Sequence, residues 1–465
     1  MEILNQTGDA IFHAWMDGRT GPDGKTFYLD QYIIECEITE SIDTPCIYAR
    51  LVIDDSGDLI TNLDGGERWN IEIKSKHRNQ TYKLESFKVS DYVRQEKRAV
   101  YMIHLASGEF LRNELSNVFG SFKDKKASEH VCEIMTKKQF KTIGKFTEKK
   151  VFIENTDATF TFVATNWRVF NCINWLCEKS IRANKSGSVR QSGFILYENV
   201  FGFHFTSLDK LIEDSKKQSS SSKTITQGSN CGARPIPPLY KYTYGQKNLG
   251  QNNPEENEFL IDKLTFPKSY SLLDQIRHGT LAGYTQAFDP VELAKGSSKD
   301  PSKDTPAATR EYLIEQVWGS MAHVEKAKPY KGAPDYLYSV PRRHRLKPIL
   351  SRTFGVPGDK KAVAAGGKNF QDIVDASSYS YLRLKSFMYQ QLSIQFAGNL
   401  DIYAGYGIEV EIPKNLPDKP SDKKIPVDKR WSGRWMVAGV THRFKSGKLT
   451  TNCLLVRDST QEKAS

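Results

Sequence analysis

The 465-residue sequence has no long hydrophobic run and none of the common catalytic signatures. Its apolar runs reach at most seven residues, whereas a membrane-spanning helix needs about 20, so no transmembrane helix is predicted. The N-terminal residues lack a basic stretch followed by an apolar one, and we expect no secretory signal. The motifs HExxH, GxxxxGK(S/T), GxGxxG after a strand and GxSxG are missing, which argues against zinc-protease, P-loop, dinucleotide-binding and hydrolase chemistry.

Cysteine is scarce, with seven residues in the whole chain. An odd number, without a Cys-x-x-Cys pair or a close cluster with histidine, favours a reducing compartment over a disulfide framework. The nine histidines are scattered along the sequence. We therefore predict no metal site, no cofactor-binding residue and no catalytic residue.

Positive charge exceeds negative charge by 11, and the sequence pI is about 9.0. A net positive charge can bind nucleic acid or can only increase solubility. Because the charges are spread evenly along the chain, solubility is favoured. The densest basic cluster extends from Arg342 to Arg352 and holds five cationic residues without an acid. The cluster could bind phosphates, but no aromatic stacking platform is interleaved with it, which favours a solvated loop or a subunit contact.

The chain is longer than a domain with a single hydrophobic core usually is, and we expect about two to four domains. Near residues 31–105, about five or six short strands are separated by turn residues. Alternating apolar positions are Ile34, Cys36 and Ile38, then Ala49, Leu51 and Ile53, then Trp69, Ile71 and Ile73. With further strands at Tyr82–Val89 and Ala99–Leu105, this region predicts a small antiparallel barrel or sandwich.

The C-terminal stretch Gly433–Asp458 predicts a β-hairpin. Two sets of alternating residues along Trp435–Phe444 give the period of a half-buried strand, and Lys445–Lys448 supplies the turn. The return strand contains the continuous apolar run Cys453–Val456, so we expect its far end to be covered on both faces. Two isolated strands are marginal in water, and this hairpin therefore needs a larger sheet to join.

The region between these units predicts α+β structure. Ser128 and Asn166 are candidate N-caps of two helices. Residues 215–238, rich in serine and proline, are expected to form a linker or mobile loop. Further strands are predicted near Thr159–Val163, Gly193–Glu198, Gly202–Phe205, Leu260–Phe266, Thr280–Phe288, Leu392–Phe396 and Gly407–Ile412, and further helices near Ser271–Arg277 and Tyr379–Tyr389.

Glu148 and Asp157 are nine residues apart, a spacing that some wall-degrading enzymes use for their acid and second carboxylate. The threonine that would follow Asp157 in that pattern is missing. The residues from Lys149 to Ile153 are typical of an ordinary exposed strand. We therefore do not predict catalysis by this pair.

Single histidines and aromatic residues are interpreted as structural. His204 and His442 each lie in an aromatic strand, where a hydrogen-bonded structural histidine is favoured over a ligand or a base. Trp435, Tyr379 and Tyr381 are predicted to anchor the core or an interface rather than to stack on a ligand.

A series of short motifs runs in a fixed order through most of the chain. They are Glu40-Ser41, Gly66-Glu67, Ser107-Gly108-Glu109, Asn174-Trp175-Leu176, Gly193–Leu208, Gly279, Asp289-Pro290, Gly398-Asn399-Leu400, Gly405, Ile412-Pro413, Gly433, Trp435, His442-Arg443-Phe444 and Leu455–Asp458. Together they resemble the central baseplate hub protein of contractile-tailed bacteriophages, a T-even and Mu-like family. That family is similar to the N-terminal part of type VI secretion spike proteins.

The resemblance implies a mainly β fold with α+β insertions and two antiparallel β-barrels of the tail-tube type, the second discontinuous in sequence. Residues 1–107 are expected to form the first barrel, residues 108–212 an α+β domain and residues 213–254 a linker and extended segment. Residues 255–295 and 385–465 are expected to form the second barrel, separated by an insertion with a helix at residues 296–384. The serine-rich linker and this insertion depart from the family pattern.

The implied function is that of a structural, non-enzymatic baseplate hub. A homotrimer with two barrels per chain would form a ring that adapts the threefold central spike to the sixfold tail tube and lets DNA pass during ejection. Expected partners are the spike, the tube or its initiator, and baseplate wedge proteins, with no membrane span. The expected location is the virion tail baseplate, after assembly in the host cytoplasm.

Other functions stay open at this point. One is the hub of a bacterial contractile injection or type VI secretion machine, whose spike would be a separate chain because this sequence ends seven residues after Asp458. A basic DNA-binding protein is an alternative from a different class, and a wall hydrolase is a third.

Overall fold

The computed structural model describes residues 7–461 except for residues 21–24, 77, 138–143, 158, 184–188, 222–230, 246–256, 269–271, 289, 291–306, 329–342, 349–369 and 416–425. Strands make up 49% of the structure and helices 22%, which confirms the mainly β prediction. Among the described residues, one continuous sheet of 13 strands dominates the fold, and three smaller sheets accompany it.

The N-terminal barrel is built from antiparallel strands in the order β3-β4-β7-β6-β5-β1-β2. They are β1 (Ala10–Thr20), β2 (Thr26–Tyr28), β3 (Ile33–Ser41), β4 (Tyr48–Asp55), β5 (Arg68–Ser75), β6 (Asn79–Gln95) and β7 (Arg98–Ala106). Short 3-10 helices at Asp30–Tyr32 and Leu59–Asn62 lie between strands. The strands predicted within residues 31–105 are confirmed, and β1 and β2 extend the barrel on the N-terminal side.

Alternation along these strands places the core as predicted, with one exception. Leu51 and Trp69 are fully buried, whereas Ile34, expected to face inward, is 39% exposed. The register between β3 and β4 shifts between Ile33 and Glu35. This irregularity buries Glu35 in place of Ile34, because one extra residue reverses which side chains face the interior.

The middle domain follows, and its predicted α+β character is confirmed. Its elements are α1 (Gly108–Leu115), β8 (Asn117–Lys126), α2 (Ala127–Thr136), β9 (Val151–Ile153), β10 (Thr159–Arg168), α3 (Val169–Glu178), β11 (Phe194–Asn199), β12 (Gly202–Ser207) and α4 (Leu208–Lys217). Both predicted caps are wrong, since Ser128 lies inside α2 and Asn166 lies in β10. The start of α3 is capped from another element, because Asn113 Oδ1 accepts a hydrogen bond from Phe170 N at 2.9 Å.

The C-terminal half contains a second barrel and an insertion. Its elements are β13 (Lys241–Tyr244), β14 (Leu260–Lys268), α5 (Leu272–His278), β15 (Ala282–Phe288), β16 (Ala307–Leu313), α6 (Ile314–Val317), a 3-10 helix (Trp318–Ser320), β17 (Arg343–Pro348), α7 (Phe370–Phe387), β18 (Gln390–Ala397), β19 (Gly407–Glu411), β20 (Gly433–Lys445) and β21 (Lys448–Arg457). The C-terminal barrel has the order β19-β13-β14-β18-β21-β20, and β20 pairs back to β19 to close it.

The pairing of the strands corrects two expected boundaries. β13 lies in residues 213–254, expected as a linker, but it pairs with β14 and β19 and belongs to the barrel. β15 lies in residues 255–295, expected as barrel, but it pairs with β16 and β17 in a separate sheet. β13 also runs parallel to both neighbours, so this barrel is not wholly antiparallel as expected. Periodicity indicates that a segment is a strand, whereas only the tertiary fold decides its partners.

The predicted C-terminal hairpin is confirmed, and it joins the two barrels. β20 and β21 pair across Ser446-Gly447, and β20 also pairs with β3 over Gly439–Lys445. At the hairpin tip, Ala10 N donates to Gly447 O at 3.2 Å and Leu449 N donates to Gly8 O at 2.7 Å. The hairpin therefore forms part of the C-terminal barrel and spans the gap between β3 and β1 of the N-terminal barrel.

One pair of cysteines departs from the expectation of reduced thiols. Cys132 and Cys231 form a disulfide with a Cα–Cα distance of 6.0 Å. The other five cysteines are buried and free. The pair is separated by 99 residues, so local spacing carries no signal for it. Residues 231–240 are also ordered, although the range 215–238 was expected to be a linker, and residues 222–230 of that range lie outside the described residues.

Gly405 offers a test of the close contact between the C-terminal barrel and the middle domain. Its φ is +81°, and a Cβ at this position would lie 2.1 Å from Tyr197 Oη. Gly447 has a φ of +76°, but a Cβ there would meet nothing within 4 Å. We expect Gly405→Ala to lower the free energy of unfolding by about 3 kcal/mol and Gly447→Ala by about 1 kcal/mol, because only the first adds a clash to backbone strain. Urea denaturation measures both values, and equal losses would contradict the expectation.

Candidate interaction site at the junction of the barrels

A buried carboxylate connects three parts of the molecule. Glu40 lies near the end of β3 and is 1% exposed. Its Oε1 accepts a hydrogen bond from Val200 N (2.9 Å) in the turn between β11 and β12. Its Oε2 accepts one from Ala404 N (3.4 Å), between β18 and β19. The N-terminal barrel, the middle domain and the C-terminal barrel therefore meet on one side chain.

A second network of buried charges lies in the middle domain. Lys149 Nζ lies 2.7 Å from Glu109 Oε2 and 2.6 Å from Glu198 Oε1. Ser107 Oγ donates a hydrogen bond to Glu198 Oε2 at 2.5 Å. One lysine thus bridges two buried carboxylates, one from the first turn of α1 and one from β11. Such a bridge compensates for the loss of hydration of both acids.

Burial dominates the electrostatics of these groups. Loss of hydration, together with the negative charge of Glu198, raises the pKa of Glu40 to about 8. Burial also raises the pKa of Glu198, against the attraction of Lys149. At Glu109, burial is outweighed by Lys149 and by hydrogen bonds, so the pKa is lowered. Glu40 therefore holds its proton near neutral pH, whereas Glu109 is ionised.

A buried ion cluster fixes the insertion to the rest of the molecule. The guanidinium of Arg383, on α7, lies 2.8 Å from Asp458 Oδ2 and 3.4 Å from Asp209 Oδ1. Tyr379 Oη donates to Asp209 Oδ2 at 2.8 Å, and His323 Nδ1 lies 2.9 Å from Asp458 Oδ2. Burial opposes ionisation of Asp458, but Arg383 and His323 hold its pKa well below the ordinary value. The cluster therefore joins α7, α4 and the end of β21 through paired charges.

Trp435 is a core anchor of the C-terminal barrel, which agrees with its prediction. Its side chain is fully buried, and its Nε1 donates to Trp431 O at 3.0 Å. The Arg457 guanidinium lies 4.0 Å from the ring centroid. Arg457 also donates to Gln390 Oε1 at 2.7 Å and to Ser432 O at 3.0 Å. This arginine is therefore held by the barrel itself.

Two clefts open beside the junction. One, of about 340 Å³, is lined by apolar side chains of Ile42, Ile195, Leu208 and Met388 among others. The other, of about 260 Å³, lies between β6 and the turn after β11 and includes Lys149.

Glu148 and Asp157 lie in ordinary surface contacts. The Glu148 side chain is 75% exposed, and its Oε2 lies 3.2 Å from Lys145 Nζ. Asp157 is exposed, and its backbone N donates to Ile181 O at 2.8 Å. Neither carboxylate lines the two clefts described above. The absence of catalytic residues stays a prediction.

The two histidines predicted as structural are buried and hydrogen-bonded. His204 Nε2 lies 2.8 Å from Asn199 Oδ1, and His442 Nδ1 lies 3.1 Å from Thr451 Oγ1. Burial lowers the pKa of His204 well below its ordinary value and that of His442 to about 4. Both rings are therefore neutral at physiological pH, and both are buried in the core.

The basic cluster expected as a loop or subunit contact contains a strand. Residues 343–348 form β17, while Arg342 and residues 349–352 lie outside the described residues. The Arg345 guanidinium lies 3.8 Å from the centroid of the Tyr381 ring on α7. Lys347 Nζ lies 2.9 Å from Ser377 Oγ and 3.7 Å from Glu178 Oε2. Both cations therefore serve contacts within the chain.

Over the described ranges, no group of three or more histidine, cysteine, aspartate or glutamate side chains is placed to hold a metal ion. In the same part of the chain, no helix has both the length and the apolar character needed to cross a membrane.

The architecture matches a solved tail protein along nearly its whole length. A tail protein from Neisseria meningitidis MC58 covers 97% of this chain and 97% of its own length, at 8% sequence identity and a TM-score of 0.52. The chain has a tail-protein fold. This match confirms the resemblance found in the motifs at the level of the fold.

Two further solved structures align with the chain. A 43 kDa tail protein of prophage MuSo2 from Shewanella oneidensis covers 96% of this chain and 98% of its own, at 9% identity and a TM-score of 0.47. An Escherichia coli component of the type VI secretion system, described as similar to the T4 bacteriophage tail proteins gp27 and gp5, covers 97% of this chain and 79% of its own, at 8% identity and a TM-score of 0.42. No protein-family model and no curated protein sequence matches the chain.

Several motif residues act at the junction of this tail-protein fold, and some of their partners lie outside the motifs. Glu40, Glu109 and Asp458 belong to motifs, and each makes buried polar contacts between elements. Lys149 and His323 complete these networks as isolated residues. His323 and Asp458 are 135 residues apart, so no local pattern links them.

Asp458→Asn tests the buried ion cluster. At pH 7 the substitution should lower the free energy of unfolding by about 3–5 kcal/mol, because Arg383 stays buried after losing a negative partner. The folded pKa of Asp458 is depressed, so its stabilisation is present above the unfolded pKa of about 3.9 and is lost as pH falls below it. The gap between wild type and variant should therefore narrow at pH 3 in urea denaturation.

Glu148→Gln is the control for this experiment, because it removes an exposed carboxylate from a surface ion pair. Its expected effect is within about 0.5 kcal/mol at either pH. If Asp458→Asn behaved like this control at pH 7, the cluster would not stabilise the fold.

Glu40→Gln tests the protonated carboxyl at the junction. The folded pKa is about 8, above the unfolded value of about 4.3, so the folded state binds the extra proton between these limits. The contribution of Glu40 to stability should therefore fall as pH rises from about 4.3 to 8. Urea midpoints between pH 5 and pH 9 should show this fall in wild type and in Glu72→Gln, a carboxylate on β5, but a flatter profile in Glu40→Gln.

Proposed function

We propose that this protein is the structural, non-enzymatic hub of a contractile phage tail baseplate. The observation that supports the proposal is the fusion of two barrels by one hairpin into a single sheet of 13 strands. A chain with two joined barrels contributes two positions to a ring. Three chains then supply a ring of six barrels, which offers threefold symmetry to a central spike and sixfold symmetry to a tail tube.

Rigidity of the joined barrels supports a mechanical role. The pairing of β20 with β3 is continuous over Gly439–Lys445. The Arg443 guanidinium lies 2.8 Å from Glu35 Oε1 across this pairing, and Glu40 adds contacts to the other two domains. A hub must keep the two barrels of one chain in fixed relation while it transmits force from spike to tube. Backbone pairing, this ion pair and the buried hydrogen bonds of Glu40 meet this requirement.

The ring would let DNA pass during ejection without holding it. Each phosphate neutralised by a lysine or arginine adds affinity, so a lumen rich in unpaired cations would slow passage. Many cations of the chain are paired internally, including Arg345 and Lys347 of the basic cluster. This pairing also weakens the case for a basic DNA-binding protein, which would show tight binding with a steep dependence on salt.

The proposed partners are two further copies of the chain, the central spike, the tube or its initiator, and baseplate wedge proteins. The proposed location is the tail baseplate of the virion, after assembly in the host cytoplasm. The same architecture would serve a bacterial contractile injection or type VI secretion machine. Isolation of the particles that contain this chain distinguishes these machines, because only a virion carries packaged DNA.

Oligomeric mass tests the proposal most directly. Light scattering on the purified chain should give a mass about three times the 52.8 kDa of one copy. Electron micrographs of the same sample should show a ring with a central opening, and binding to duplex DNA should be weak at physiological salt. A stable monomer at micromolar concentration, with no ring in the presence of a spike protein, would contradict the proposal.

A further inference from the structure

The disulfide between Cys132 and Cys231 attaches the middle domain to a segment that leads into the C-terminal barrel. Cys132 lies on α2, and Cys231 begins residues 231–240, which we call the strap. Both cysteines are partly exposed, whereas the five free cysteines are buried. The strap ends directly before β13.

The start of the strap extends the small sheet of the middle domain. Cys231 N donates to Val151 O at 2.7 Å, and Ile153 N donates to Gly232 O at 3.1 Å. Both partners belong to β9. These backbone bonds hold Cys231 beside β9, and β9 packs against α2, which carries Cys132. The two cysteines therefore have contacts other than the disulfide that keep them within bridging distance.

The next part of the strap contacts the C-terminal barrel. Arg234 Nη2 donates to Tyr197 Oη and to Gly405 O, both at 2.9 Å. The Arg234 guanidinium lies 4.3 Å from the centroid of the Tyr406 ring, and Tyr406 Oη donates to Pro235 O at 2.8 Å. The strap is therefore a physical connection between the disulfide and the segment preceding β19.

The strand that follows the strap is the narrowest link in the C-terminal barrel. β13 pairs with β19 at three residues and with β14 at two. Elsewhere in the ring β18 and β21 pair along eight residues. Since β13 is the strand between β19 and β14, closure of the barrel on that side depends on these few pairs. A disulfide that holds the strap against α2 therefore helps to keep β13 paired between β14 and β19.

The remaining cysteines are poorly suited to redox chemistry. Cys36, Cys46, Cys172, Cys177 and Cys453 are all buried. Burial raises the pKa of the Cys172 thiol to about 12 and those of the others above their ordinary value as well. A buried protonated thiol is a poor nucleophile, so oxidation is confined to the Cys132 and Cys231 pair.

We propose that Cys132 and Cys231 form a redox latch on the C-terminal barrel. On the proposed function, which this inference extends, the chain is made in a reducing cytoplasm, where the pair is a dithiol. After release of the particle the latch closes by exchange with a small-molecule disulfide such as oxidised glutathione. When the disulfide is formed, it restrains the strap and, through the strap, β13.

The latch closes by two successive thiol–disulfide exchange steps. One cysteine thiolate attacks the sulfur–sulfur bond of the oxidant, forms a mixed disulfide and releases one small thiolate. The second cysteine thiolate attacks the protein sulfur of the mixed disulfide and releases the second small thiolate. Two protein thiols are oxidised to one disulfide, the oxidant is reduced to two thiols, and their two protons pass to the departing thiolates through water.

Thiol counting on the full chain tests whether the latch forms. Protein purified with a reductant and then denatured should bind an alkylating reagent at all seven cysteines. After treatment of the folded protein with oxidised glutathione, intact mass should show five labelled cysteines. Seven labels after this treatment would overturn the proposal, as would loss of a pair other than Cys132 and Cys231 in peptide mapping.

Thermal unfolding tests what the latch does. The oxidised wild type should melt on the order of 5 °C above the reduced wild type, because the cross-link restricts the unfolded chain. The double variant Cys132→Ser/Cys231→Ser should have the melting temperature of the reduced protein, and the oxidant should not change it. Cys453→Ser, which changes a buried cysteine outside the pair, should keep the difference between oxidised and reduced states. Equal melting temperatures in the two redox states of wild type would refute a stabilising latch.

Hydrogen exchange shows where the latch acts. Reduction should speed exchange of the amides of Tyr242–Tyr244 on β13 and leave those in the β20–β21 pairing unchanged. Uniform change across both barrels would contradict local control of β13. These readouts need no assembly, so a monomer with a working latch would count against the hub proposal alone, and a trimer without a latch would count against the latch alone.

Discussion

The pairing of β20 with β3 is the contact on which the rest of the structure depends. It converts two barrels into one sheet and lets one hairpin serve both. The lower part of β20 is buried on both faces at Trp435–Ala438, as a strand of the C-terminal barrel must be, and alternation resumes where it meets β3. Near the tip, Phe444 stacks on Phe12 with ring centroids 4.7 Å apart, so the hairpin also fills the N-terminal core. Neither barrel is complete without this element.

Buried polar and charged groups then set how the other parts attach to this sheet. A joint made only of apolar side chains would tolerate several orientations, whereas a buried carboxylate demands particular donors. Glu40 finds them in Val200 and Ala404, and Asp458 finds them in Arg383 and His323. Removing one member of such a contact leaves its partner buried and unsatisfied, which disfavours any arrangement of the domains that separates the two.

The elements that the sequence predicted well are those whose signal is local. The hairpin turn at Ser446-Gly447 and the alternation around Leu51 follow from period and turn chemistry alone. Ile34 was misplaced because a register shift is a property of two paired strands, not of one. The assignment of β13 and β15 failed for the same reason, since partners are chosen by the tertiary fold. The ion cluster joins His323 to Asp458 across 135 positions and the disulfide joins residues 99 apart, beyond the reach of any local pattern.

The C-terminal barrel is held more strongly at the β20–β21 hairpin than at β13. On one side of the barrel, β20 and β21 form a long antiparallel pairing, and β20 continues into a pairing with β3. Separation of these strands would therefore also disrupt the N-terminal core. The opposite side is held by β13 through a few parallel pairs, and in the described part of the chain β13 pairs only with strands of its own barrel. Local opening is expected at the element with the fewest cooperative contacts. The disulfide from the strap to α2 lies close to β13 in the chain. It therefore restrains local opening at β13, whereas the pairing of β20 with β3 does not depend on it.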